Sequence, residues 1–320
     1  MTSSRHHLRD ILDRLAPLAG LIVLCAYFAA TQEGFRTADN MWLIALQIAV
    51  VAIIAIAETF VIVAGGVDLS VGSVMALSSV VAALLLKEHG VPPLAAMAAG
   101  VGAGALCGLV NGVIITRMNL PPFIATLGMM GICRGVALSL TNGQAIAELG
   151  DTFQALGSGR IFGVMRVPVV VLLLTAIIAH VVLRKTTFGR YTYALGSNAE
   201  AARLSGVNVK GVMTLVFVLC GALTGLAGII LAGRLNIGQP TGGAGYELDA
   251  IAAAVIGGAS LMGGRGTISG TLIGAFIMAV LRNGCDLQNV EVYWQQIIIG
   301  AIIILAVFGD TLRQRRAGKA

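Results

Sequence analysis

Ten apolar runs, together 194 of the chain's 320 residues, contain only two charged side chains, Glu58 and Arg134. They are residues 15–31, 41–64, 69–86, 91–116, 120–141, 167–183, 211–233, 250–262, 266–281 and 292–309. A bilayer core of about 30 Å takes about 20 apolar residues in a helix. The repeated runs therefore predict an all-α, polytopic membrane protein. Charged residues make up 11% of the chain, against about 25% in a soluble domain, too few to cover a globule in water. Aromatic residues, at 5%, are too few for the girdles of an outer-membrane barrel. Glycine is abundant, with 42 residues, and small residues let membrane helices approach closely.

Lysine and arginine placement predicts orientation. With the first residues inside and sides alternating after each run, 14 of the 21 basic residues fall inside and six outside, with Arg134 in a run. Cytoplasmic loops carry the excess, so both termini are expected in the cytoplasm, and the net charge of +6 reports topology. No basic stripe with interleaved aromatics suggests nucleic acid. The chain reads as one membrane domain over 1–320, with cytoplasmic tails at 1–14 and 311–320 and a basic cytoplasmic loop at 184–210. The first run lacks an A-x-A cleavage pattern and reads as a retained span.

Two runs leave the number of crossings open. Residues 250–262 are short, and the run from Leu69 starts beside a polar, glycine-bounded break, GGVDLSVGS. Ten full crossings, or eight with re-entrant half-helices buried in protein or lining a cavity, both fit.

Gly100, Gly104, Gly108 and Gly112 recur every four residues and form one helical stripe suited to a close neighbour within the chain. Gly128, Gly131 and Gly135, and Gly221 and Gly225, are shorter versions. Intramembrane polar groups mark functional candidates. Glu58 lies about two-thirds along its run, and Arg134 at a similar depth in the fifth. They are expected either to pair or to face a wet cavity. Asn111 and Thr126 are milder candidates, and these four residues form the candidate translocation path. The five scattered cysteines show no CxxC spacing and no metal or redox motif. None of the four lysines completes GxxxxGK[ST], so no phosphate-cradling loop is predicted. The reading is of a non-catalytic chain that needs no cofactor.

The loop at 184–210 contains Glu200-Ala201-Ala202-Arg203-Leu204-Ser205-Gly206, which reads as a short helix with Asn198 as its N-cap. This E-A-A-x-x-x-G pattern resembles the coupling motif of ABC importer permeases, although Val216-Phe217-Val218-Leu219 stands where the fuller pattern has I-x-L-P. GGVDLSVGS (65–73), LPPFIATLGMMGICRG (120–135), GRYTYALGSNAEAARLSGVNV (189–209) and GQPTGGAGYELDAIAAAVIGGASLMGG (238–264) are similar to the ribose/galactose-type monosaccharide branch of that family. The resemblance implies two permease copies in an inner membrane, a cytoplasmic ATPase, and an external sugar-binding protein. It implies that Glu200, Ala201, Ala202 and Gly206 form the coupling helix, and that external loops 142–166 and 234–248 receive the binding protein. Two inverted repeats of five segments each are a plan such transporters use. Rival expectations are an ABC permease for branched-chain amino acids or nucleosides, and an ion-coupled secondary transporter.

Overall fold

The computed structural model describes residues 2–161, 163 and 165–317, with side chains described for 17–309 and 311 among them. The last three residues of the expected C-terminal tail lie outside the described residues.

Each of the ten apolar runs contains or overlaps a helix. The helices are α1 (Thr2–Thr31), α2 (Ala38–Val63), α3 (Val71–Lys87), α4 (Pro93–Arg117), α5 (Pro122–Thr141), α6 (Asp151–Ser158), α7 (Val167–Lys185), α8 (Thr187–Ser197), α9 (Ala199–Leu204), α10 (Val209–Leu235), α11 (Tyr246–Ile256), α12 (Ile268–Leu287) and α13 (Val292–Ala317). Their starts follow local chemistry. Thr37, Thr186, Asn198, Asn208 and Thr267 each accept a backbone N–H in the first turn of the helix they precede, satisfying a donor with no partner inside the helix. Proline begins α4 and α5, where the missing N–H costs nothing.

Among the described residues, seven helices are long and apolar enough to cross a membrane: α2, α4, α5, α7, α10, α12 and α13. The apolar parts of α1 and α3 are shorter. At 11 residues, α11 spans about 16 Å, half a bilayer core. The run expected at 250–262 is thus a half-length helix placed earlier, followed by turns.

The first five apolar segments are α1–α5, and the second five are α7 and α10–α13. Their packing repeats between the halves. α2 packs on α12 as α10 packs on α4, and α3 packs on α10 as α11 packs on α2. α3 meets α4 and α5 as α11 meets α12 and α13. The third segments run in opposite directions: α3 ends near Gly238, beyond the end of α10, whereas α11 leads to Ala259, beside Ile62 at the end of α2. The arrangement follows the inverted plan, although no sequence repeat announces it.

The glycine stripe on α4 is a seam against α10. A Cβ at Gly104 would meet the Gly221 carbonyl, one at Gly108 the Phe217 carbonyl, and one at Gly112 the Cα of Thr214 at 2.7 Å. Gly100 adds Ser78 of α3 at 2.6 Å. The stripe on α5 behaves differently from expectation. Gly128, Gly131 and Gly135 have nothing within 4 Å of a Cβ, so this face is not used for packing within the chain. At the opposite end of α2, Asn40 and Asn283 of α12 exchange two buried amide hydrogen bonds of 2.9 and 2.7 Å.

Short elements occupy the connections. Strands β1 (Ile146–Ala147), β2 (Arg160–Ile161), β3 (Met165–Arg166) and β4 (Ile237–Gly238) form two antiparallel pairs, β1 with β4 and β2 with β3. α6 lies between them and packs on the end of α10.

Candidate functional site

The GGVDLSVGS break sits between α2 and α3. α2 ends at Val63, and Gly65 turns the chain with φ +87°, a backbone that glycine adopts without strain. Residues 66–68 are neither helix nor strand, so their backbone groups need partners that lipid cannot supply. Side chains from two helices, α2 and α5, supply them, and one from α4 braces the Ser70 side chain. Glu58 Oε1 accepts the Asp68 N–H at 3.0 Å. The Thr126 hydroxyl accepts from Leu69 N at 3.2 Å and donates to the Val67 carbonyl at 3.3 Å. Asp68 Oδ1 accepts the Ser70 N–H and hydroxyl, at 2.8 and 2.5 Å. Asn111 Nδ2 donates to Ser70 Oγ at 3.2 Å.

Glu58, Asn111 and Thr126 therefore come together, each 0% exposed. In this arrangement they tie the start of α3 to α2, α4 and α5 and present no surface to a passage. Glu58 Oε2 and Asn111 Oδ1 are buried without partners, so the cluster has polar capacity left over.

A second break precedes α11. Beyond α10, Asn236 takes a left-handed turn with φ +57°, and the chain re-enters along α3. A Cβ at Gly238 would lie 2.6 Å from Ala83, and one at Gly243 would meet the Gly72 carbonyl. The two breaks thus meet backbone to backbone where α3 and α11 begin. Arg134 Nη1 donates to the carbonyls of Pro240 and Gly242 at 2.7 and 3.1 Å. Of the two alternatives for Arg134 and Glu58, the pairing does not form. Arg134 lies eight residues past Thr126, about 12 Å along α5, while Glu58 is tied to the break at the level of Thr126.

Three charged residues at this break were not among the sequence candidates. Asp249, 1% exposed, pairs with Arg282 of α12 at 2.7 Å, and Glu247 Oε1 accepts the Gly245 N–H at 3.2 Å. The pair pins the first turn of the half-length helix, where a buried carboxylate without a partner would be costly. Thr241, Ala244 and Leu248 remain exposed on the same segment.

Arg134→Met keeps the apolar stem and removes both donors. Hydrogen bonds from charged groups are worth about 1.5–3 kcal/mol each, and tenfold corresponds to about 1.4 kcal/mol. A cysteine replacing Thr241 is expected to react with a maleimide at least about tenfold faster beside Arg134→Met than beside Arg134. Equal rates would mean that the arginine does not hold the segment.

The loop at 184–210 folds into α8 and α9. Asn198 Oδ1 accepts the Ala201 N–H at 2.9 Å, capping α9 as expected. Arg203 grips Glu200 with two bonds, Nε to Oε2 at 3.0 Å and Nη2 to Oε1 at 2.5 Å. That guanidinium holds the Glu200 carboxyl below its ordinary pKa, so the residue stays ionised at mildly acidic pH. Ala202 is buried, while Glu200, Ala201 and Gly206 are exposed. Leu204 is 75% exposed and offers an apolar knob; its position between charged and small residues concealed it in the sequence.

The chain resembles known proteins along nearly its whole length. Residues 40–307 match the family described as "branched-chain amino acid transport system / permease component". A ribose import permease protein of Escherichia coli (strain K12) is 46% identical over 318 residues, 98% of each chain. One from Bacillus subtilis (strain 168) is 43% identical over 96% of this chain and 95% of the relative. An L-arabinose ABC transporter permease protein of Azospirillum brasilense is 40% identical over 97% and 91%. No solved structure matches.

Proposed function

The chain belongs to the permease family of ABC importers, and from that premise we propose that it forms one half of a monosaccharide passage driven by a separate ATPase. The observation that carries the passage reading is the uncovered re-entrant segment. Its non-helical backbone lies against α3 within the helix bundle, yet Thr241, Ala244 and Leu248 are not covered by their own chain. Irregular backbone at membrane depth does not face lipid. Water or a second copy of the chain therefore covers it. The bare glycine face of α5, the helix whose Arg134 holds this segment, is the surface on which the second copy would pack. The wall of the passage is then Arg134 with residues 240–248, while Glu58, Asn111 and Thr126 stand behind it and set the position of α3.

The end of the molecule bearing α8 and α9 carries Arg184, Lys185, Arg190, Arg203, Lys210 and Arg265, and the positive-inside rule puts it in the cytoplasm. There Glu200, Ala201 and Gly206, with Leu204, meet the ATPase, and the buried Ala202 seats the helix on its own chain. The opposite end, with α6 and the strand pairs, receives the external binding protein. This chain supplies the passage and its partner the hydrolysis.

The relatives' sugars favour a monosaccharide over the amino acids in the family description. Reconstitution with the ATPase and binding protein tests this. Labelled D-ribose or L-arabinose should accumulate only with ATP and both partners, and ionophores should leave uptake unchanged. Uptake of leucine or uridine alone would overturn the sugar reading. Uptake driven by an ion gradient would overturn the coupling to ATP.

A further inference from the structure

The turn after α11 carries Gly263-Gly264-Arg265-Gly266, a glycine cluster outside the passage and outside α9. It is one of the places where α8 meets the membrane domain, and at Gly196 the two approach backbone to backbone. A Cβ at Gly196, in the last turn of α8, would overlap the Val63 carbonyl oxygen and lie 2.6 Å from Gly264 N. Those two atoms are themselves hydrogen bonded, Gly264 N to Val63 O at 2.9 Å. From the other side, a Cβ at Gly263 would lie 2.6 Å from the Gly196 carbonyl. Gly263 and Gly264 have φ of +84° and +72°, backbones that other residues adopt only under strain. Tyr193 Oη adds a hydrogen bond to the Gly266 carbonyl at 2.7 Å, and Phe188 of α8 stacks on Phe60 of α2 at 6.3 Å.

We propose that Gly196 is a positioning residue for transport: it seats the segment carrying α9 directly on the end of α2 and on the turn after α11. Both breaks are then within reach of one joint. Five residues before Val63, Glu58 holds the first break through Asp68 N. The turn follows α11, whose other end is the second break. Contacts between backbones have no rotamers to absorb a displacement, whereas long side chains would. Movement of α9 is thereby passed on to the starts of α3 and α11.

This inference rests on the reading of α9 as the ATPase contact, and the experiment separates the two. The complete importer, in nanodiscs, is assayed for ATP hydrolysis with and without its binding protein, in Gly196→Ala, Tyr193→Phe and Glu200→Lys. In assembled complex, Gly196→Ala is expected to keep its basal hydrolysis while stimulation by the binding protein falls about fivefold or more, a coupling loss of ordinary size. Tyr193→Phe, which removes one hydroxyl and adds no bulk, should lose about twofold. If the alanine variant does not assemble, Tyr193→Phe decides. Full stimulation in the deciding variant overturns the proposal, and so does a fall in basal hydrolysis equal to the fall in stimulation, which would mark packing alone. If Glu200→Lys keeps its stimulation, the ATPase contact through α9 is the reading that fails. If it loses stimulation while both α8 variants keep theirs, only the joint fails.

Discussion

Glu200→Lys is expected to reduce sugar uptake to background while the permease remains in the membrane at its normal level. The structure separates these two outcomes. Glu200 and Arg203 are 65% and 63% exposed in their side chains, and an exposed ion pair contributes little to stability. Asn198 still caps the helix in the variant. A lysine in the first turn opposes the helix dipole by about 0.3–1 kcal/mol, not enough to unfold a membrane domain. At a charged contact with the ATPase, reversal places like charges together, which costs several kcal/mol. Uptake measured beside the amount of membrane-inserted protein checks this, and uptake persisting at the normal rate would sink the assignment. Gly206 belongs to the same prediction for a different reason. A Cβ there would meet nothing, but its φ is +85°. Alanine should thus impair uptake nearly as much as a bulky residue, through about 1–2 kcal/mol of backbone strain.

The second large effect concerns folding. Gly108→Val would drive a branched side chain into the Phe217 carbonyl of α10. Overpacking costs about 1–3 kcal/mol and more where neighbours cannot give way, and here the neighbour is helix backbone. Yield and thermal stability in detergent should both collapse. Gly102→Val is the control: it lies on the same helix with nothing within 4 Å, and surface changes of this kind fall within about 0.5 kcal/mol. Equal stability of the two variants would refute a load-carrying seam. Gly131→Val should likewise leave the monomer intact and instead weaken association of two copies.

Much of this fold is legible in the sequence because bilayer chemistry allows so few solutions. Apolar length alone locates the principal helices, four-residue glycine spacing locates the α4 seam, and Asn198 marks the start of α9. Contacts to backbone are less legible, because a carbonyl carries no residue type. Arg134 suggests a carboxylate partner, yet it binds carbonyls more than 100 residues away. The Glu58 pairing fails on direction as well. Successive segments run oppositely, so equal fractions along the second and fifth lie toward opposite ends. Asp249 and Arg282 escape notice because each stands one residue outside an apolar run, at 250 and 281. α6 and α8 are short amphipathic helices in connections, where charge conceals their buried faces. The mirrored packing of the halves lies in three-dimensional contacts and leaves no trace as repeated sequence.

One consequence follows from the burial of α2. Its 26 residues extend about 39 Å, well beyond a hydrocarbon core of about 30 Å. Such an excess would ordinarily be met by tilting or by local thickening of the bilayer. Yet 94% of its apolar stretch is buried inside the chain, against 11% for α13. The length of α2 is therefore released from hydrophobic mismatch. Lipids of different acyl length would press on α13, α7 and α5, while the helix that carries Glu58 keeps its setting in a shell of protein.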